Sequence, residues 1–159
     1  MNLRTFFATL ISLITLSSYA TGPEQIVFHG RIFVAGADRA GSTLTITTDG
    51  QEPELIMAAI DGTYRVSVAE GSTAVLCFAH NGHISKTVLL DTQHAFASST
   101  TTSRNKKITF DVILQENLTP EMQAEQNVVG SIRFVRGSGL MKVGYEQTTI
   151  QPVLAMLGK

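Results

Sequence analysis

A chain of 159 residues with 12 basic and 13 acidic side chains carries a formal charge of −1. That length suits one domain with a real core, and that charge excludes the cationic surplus nucleic acid or an anionic membrane surface attracts. Cys77 is the single cysteine, so no internal disulfide can form, and the chain has no tryptophan.

Residues 1–20 read as a secretory signal peptide: Arg4, an apolar stretch over 6–16, then the small-x-small site Ser18-Tyr19-Ala20. No cysteine stands near the cut, which argues against a lipoprotein anchor. No stretch after residue 20 has the length of a membrane span. The chain is therefore expected in the periplasm, at the cell surface or outside the cell.

The first strand is expected over 26–34, where Gly30 permits a bulge or a close backbone approach. A β-branched strand follows over 43–47, with Leu44 and Ile46 on one face. Asp49-Gly50 marks a reversal, and 55–60 returns toward Asp61-Gly62. Residues 61–90 then read as an antiparallel meander. Tyr64, Val66 and Val68 point inward, Glu70-Gly71 and Asn81-Gly82 are turns, and Cys77 is expected in the core.

Residues 91–105, rich in Ser and Thr and without periodicity, are expected to be a long disordered loop. The Arg104 to Lys107 cluster is a solvated strand entrance. Residues 107–115 form the clearest strand, with Ile108, Phe110, Val112 and Leu114 on one side. Thr119-Pro120 opens a short helical turn to about Gln126. Residues 128–136 are the last core strand, 137–139 a flexible joint, and 145–150 one further strand of the tail.

Seven to eight short strands with regular turn signals predict an all-β antiparallel sandwich, transthyretin-like or Ig-like, over 21–136, with a tail over 137–159. The order Gly30, strand 43–47, Asp61-Gly62-Thr63-Tyr64, Gly71 and Asn81-Gly82 resembles the carboxypeptidase regulatory-like domain. Ala59 stands where that family has an earlier acid, and His83 where it has Tyr or Phe. The continuation 107–115, then Val129-Gly130-Ser131-Ile132, is similar to stand-alone exported proteins of Bacteroidetes type. The resemblance implies a transthyretin-like sandwich and no general catalytic set. Purine-pathway hydrolases of this shape end in Tyr-Arg-Gly-Ser, which this chain lacks.

His80 and His83 straddle a hairpin turn and are the closest histidine pair, but no third ligand completes a metal site. No serine sits in a nucleophile elbow, and Asp49 and Asp61 read as turn residues, so no catalytic residue and no cofactor is assigned. Exposed aromatics that could contact a ligand reduce to Phe96 and Tyr145. The expected function is a non-enzymatic, exported interaction or accessory module whose partner is an envelope or surface protein. Carbohydrate binding is the alternative and a small hydrolase a distant third.

Overall fold

The computed structural model describes residues 22–36, 38–117 and 127–145. The expected signal peptide, the expected helical turn at 119–126 and the tail beyond 145, with most of the strand expected over 145–150, lie outside the described residues. Period-2 burial makes the strands. In β1 (Gln25–Val34), Ile26, Phe28 and Ile32 are fully buried. β2 (Thr43–Thr48) turns Leu44 and Ile46 inward, and β3 (Glu54–Met57) follows after Asp49-Gly50. β4 (Thr63–Ala69) alternates buried Tyr64, Val66 and Val68 with exposed Thr63, Arg65 and Ser67. β5 (Thr73–Ala79) and β6 (Lys86–Asp91) pair antiparallel, but among the described residues β4 pairs only with β1. The meander expected over 61–90 is therefore broken at Glu70-Gly71, where the chain crosses from one sheet to the other.

The remaining elements are α1 (Ser99–Asn105), β7 (Lys107–Thr109), β8 (Val112–Leu114), β9 (Asn127–Phe134) and β10 (Met141–Tyr145). They assemble into two facing sheets. The smaller holds β1 between β4 and the β7–β8 pair; the larger runs β10-β9-β6-β5-β2-β3. Their inner faces enclose one core, with Phe28, Tyr64, Leu76, Phe78 and Leu114 at its centre. Among the described residues no helix is long and apolar enough to cross a membrane.

The β-sandwich is as expected, but its sheets are mixed. β7 and β8 run parallel to β1, and β9 runs parallel to β6. The expected strand over 107–115 is two strands because the chain buckles at Phe110-Asp111. The Phe110 carbonyl turns inward over Gly30, where an added Cβ would overlap it. The Tyr64 hydroxyl donates to that carbonyl at 2.6 Å, and Asp111 Oδ1 accepts the Arg31 N–H at 2.8 Å. Two side chains thus replace the ladder bonds that the buckle removes. The rings of Phe28, Tyr64 and Phe78 all meet Phe110 edge-on, at centroid distances of 5.7–6.4 Å.

Three other expectations are corrected. Residues 91–105 are ordered: β6 reaches Asp91, and α1 buries Thr101 and Asn105. Asn105 Nδ2 donates to the Ala95 carbonyl at 2.6 Å and the Gly139 carbonyl at 2.7 Å, while Thr101 Oγ1 donates to the Ser138 carbonyl. The supposed joint at 137–139 is a tight hairpin turn, in which Gly139 and Ser138 both donate to the Val135 carbonyl. Cys77 is half-buried on the outer face of the larger sheet, paired with Thr45 and Thr87. Alternation in β5 gives the interior to Ala74, Leu76 and Phe78.

Candidate functional site

The two sheets differ in width, and the site follows from that difference. β9 and β10 extend beyond the β7–β8 edge of the smaller sheet, so their inner face is only partly roofed. Residues directly opposite in an antiparallel pair share a face. Met141 opposes Phe134 and Val143 opposes Ile132, which places both on the inner side with Tyr145. Phe134 and Ile132 are buried, whereas Met141, Val143 and Tyr145 are 47%, 41% and 84% exposed.

The space above them is a cleft of about 410 Å³, walled by Ile108, Val112 and Ile113 on one side and by Ile132, Val143 and Tyr145 on the other. At the Tyr145 end its floor is Gly130, where the Gly144 carbonyl lies 2.8 Å from the position a Cβ would take. A second concavity of about 310 Å³ shares Ile108, Thr109 and Met141 with it and continues to Asn105 and Gly139. Together they form a trough along the β7–β8 edge. The bonds from Asn105 and Thr101 to the β9–β10 turn tie its two walls together at the α1 end.

One wall of the trough is an open strand edge. Val27 donates to the Lys106 carbonyl and Phe110 donates to the His29 carbonyl, so residues 106, 108 and 110 face β1. The backbone groups of Lys107 and Thr109 therefore point away from it. By the same alternation the Ala35 bond to the Leu114 carbonyl leaves Ile113 facing outward. An apolar trough beside backbone donors and acceptors that no described residue pairs accommodates an extended chain.

Another depression, of about 460 Å³, covers Val75, Leu89 and Arg133 on the outer face of the larger sheet. It offers no edge, because β2, β5, β6 and β9 are each paired on both sides.

The residues singled out from sequence fall in different places. Tyr145 stands at one end of the trough. Phe96 packs against the core near the α1 end of β10, so the two rings do not meet. His80 and His83 lie edge to face, 5.1 Å between centroids. The His80 Nδ1 faces the Ser42 hydroxyl at 3.0 Å. Both nitrogens of His83 face carbonyls, Asn81 at 3.0 Å and Ala35 at 2.9 Å. Those carbonyls raise its pKa, Ala35 most, because the ring donates to both only as the cation.

Asp61 and Asp49 serve turns. Asp61 Oδ1 accepts the N–H and hydroxyl of Thr63, and Asp49 Oδ1 accepts those of Thr73. These bonds lower both carboxylate pKa values. Among the described residues no three His, Cys, Asp or Glu side chains converge on a metal position.

Sequence reasoning missed Met141, Val143 and Ile113. The period-2 pattern Met141-x-Val143-x-Tyr145 carried the signal for β10, but the glycines before it drew the strand start four residues too late.

No family model matches the chain, and no curated protein matches it. Solved structures similar to it include catechol 1,2-dioxygenase from Pseudomonas arvilla C-1, 12% identical with a TM-score of 0.46 over 70% of this chain. The same enzyme from Acinetobacter sp. ADP1, inhibited by bound mercury, is 11% identical with a TM-score of 0.42 over 70% of this chain. A DUF3823 family protein from Parabacteroides merdae is 18% identical with a TM-score of 0.36, again over 70% of this chain. The matched part spans 60% of each dioxygenase and 50% of the DUF3823 protein. None of these likenesses transfers an activity to this chain.

Proposed function

We propose that the chain is a non-enzymatic, exported binding module that takes an extended segment of an envelope or surface protein along its β7–β8 edge. The observation that carries this reading is the trough, with an open strand edge on one wall and the exposed side chains of Met141, Val143 and Tyr145 on the other. Main-chain bonds to such an edge supply affinity, and alternate side chains entering the trough supply selectivity. The carboxylates of Asp49, Asp61 and Asp111 hold backbone N–H groups, a structural use that suits a scaffold. Export rests on the composition of residues 1–20, and membership of the carboxypeptidase regulatory-like group rests on Gly30 and the Asp61 to Tyr64 turn.

Cross-linked capture from the native envelope tests the reading. The wild-type chain should retain a discrete protein that Val143→Arg fails to retain. Recovery of the same protein by both forms would refute the trough as the binding site. Glycan binding is favoured by one observation, the exposed Tyr145 ring. Saturable glycan binding lost in Tyr145→Ala would replace the protein-partner reading.

A further inference from the structure

The trough holds a cation without a partner among the described residues. Lys86 opposes Phe78 across the β5–β6 ladder, and Phe78 is fully buried, so the Lys86 side chain points to the inner face and lines the trough. It is half-buried, and desolvation lowers its pKa. Among the described residues the ion pairs are Arg31–Asp61 and Lys106–Glu24, and Lys86 has neither an acid nor a hydrogen-bond acceptor. Asp111 also lines the trough, but its Oδ1 accepts the Arg31 N–H. Partial desolvation of an ammonium is unfavourable unless an opposite charge compensates it.

The place of Lys86 along the trough is fixed by register. Val88 pairs with Gly130, and Gly130 pairs with Tyr145, so Lys86 lies at the Tyr145 end. From the α1 end an inward-facing set of side chains would meet Met141, then Val143 and Ile132, and last, beyond Gly130, the ammonium.

Resting on the reading above, we infer that the occupant is a strand of a partner protein with apolar residues at alternate positions and an Asp or Glu at the Lys86 end. Its carboxylate takes a charge-assisted hydrogen bond from the ammonium, and its apolar side chains cover Val143 and Ile132. A second copy of this chain suits the trough less well. The edges of β10, β7 and β4 carry Lys142, Lys107 and Arg65 and no acid. β3 carries Glu54, but on the face of Ile56, which packs on the core, while its exposed Leu55 and Met57 have no acid on their side.

Panning the full chain against a displayed library of random octapeptides tests this directly. The expected consensus has apolar residues at alternate positions and an acid at one fixed position near an end. A synthetic peptide of that consensus should bind on the order of tenfold more tightly than its Glu→Gln form. With Lys86→Met the apolar alternation should persist and the acidic preference vanish. With Lys86→Glu the preference should move to Lys or Arg.

An apolar consensus with no acidic preference, unaltered by Lys86→Met, overturns the inference while leaving the trough as the site. No consensus at all, or one indifferent to Val143→Arg, overturns the inference and the proposed function together. That result would follow if residues 146–159 or a second copy filled the trough, and sedimentation of the chain alone identifies the second copy.

Discussion

The inner face of the sandwich is closed around Gly30 and open around Val143, and the space at each place is used in opposite ways. At Gly30 it is taken by the chain itself. The Phe110 carbonyl occupies the position of the missing Cβ, the Tyr64 hydroxyl bonds it, and Asp111 restores the neighbouring ladder bond. Around Val143 it stays open as the trough, beside an ammonium and a strand edge that have no partner among the described residues. In one region the carbonyl and the N–H that the buckle displaces are answered from within. The other keeps apolar surface, backbone groups and a charge in reserve. The contrast separates scaffold from site more clearly than any single side chain does.

Four experiments would break or sharpen that contrast. The largest effect is expected in the closed region. Gly30→Ala forces its Cβ against the Phe110 carbonyl and should cost at least about 3 kcal/mol, read as a fall in the urea midpoint. Asn105→Ala removes two bonds from a buried amide and frees the β9–β10 turn from α1. It should cost about 2 kcal/mol and raise amide exchange over β10.

Tyr64→Phe leaves the Phe110 carbonyl without its donor and should cost about 1–2 kcal/mol, with the ring packing retained. In the open region Val143→Arg should alter stability by less than about 0.5 kcal/mol while abolishing partner capture. A loss of stability there as large as at Gly30 would mean that the two regions do not differ in kind.

The pH dependence follows from His83 and the turn aspartates. His83 has a raised pKa, so its bonds to Ala35 and Asn81 contribute fully below the ordinary histidine value of 6.5. They are lost as pH rises through the higher value in the folded chain. Asp49 and Asp61 have lowered values, so their contribution is present above 3.8 and fades as pH falls below it. Urea midpoints measured from pH 5 to 9 should decline slightly on the alkaline side, by less than about 1 kcal/mol, and His83→Gln should flatten that decline.

Much of the sandwich was legible in the sequence because its strands alternate and its turns carry Asp-Gly or Asn-Gly. β4 is the clearest case, with Tyr64, Val66 and Val68 falling where the pattern puts them. Gly30 was read as a place of close backbone approach, and the Phe110 carbonyl supplies that approach. Cys77 was misplaced because residues 74–79 are apolar on both faces, which hides the alternation. The parallel ladders were illegible for a different reason: turn chemistry reports hairpins, and no short motif reports which distant strand lies beside β1. Residues 91–105 lack apolar periodicity because α1 is anchored through the polar side chains of Thr101 and Asn105. Of the site, Tyr145 was picked out as an exposed aromatic. Lys86 could not be, since its importance arises only when Phe78 sends it inward.

The parallel pairing of β1 also sets an order in time. Its strand partner Val66 lies 38 positions along from Phe28, but the other side of β1 waits for Lys107, 80 positions beyond Val27. Loops of that length close slowly, and folds dominated by such distant pairings form in milliseconds to seconds. A chain emerging from its N-terminus first can build the β1–β4 and β2–β5 pairs early and must then hold β1 half-paired. Until residue 107 arrives, the side of β1 that β7 will cover is itself an exposed edge, and the newborn protein is most vulnerable to mispairing at its first strand.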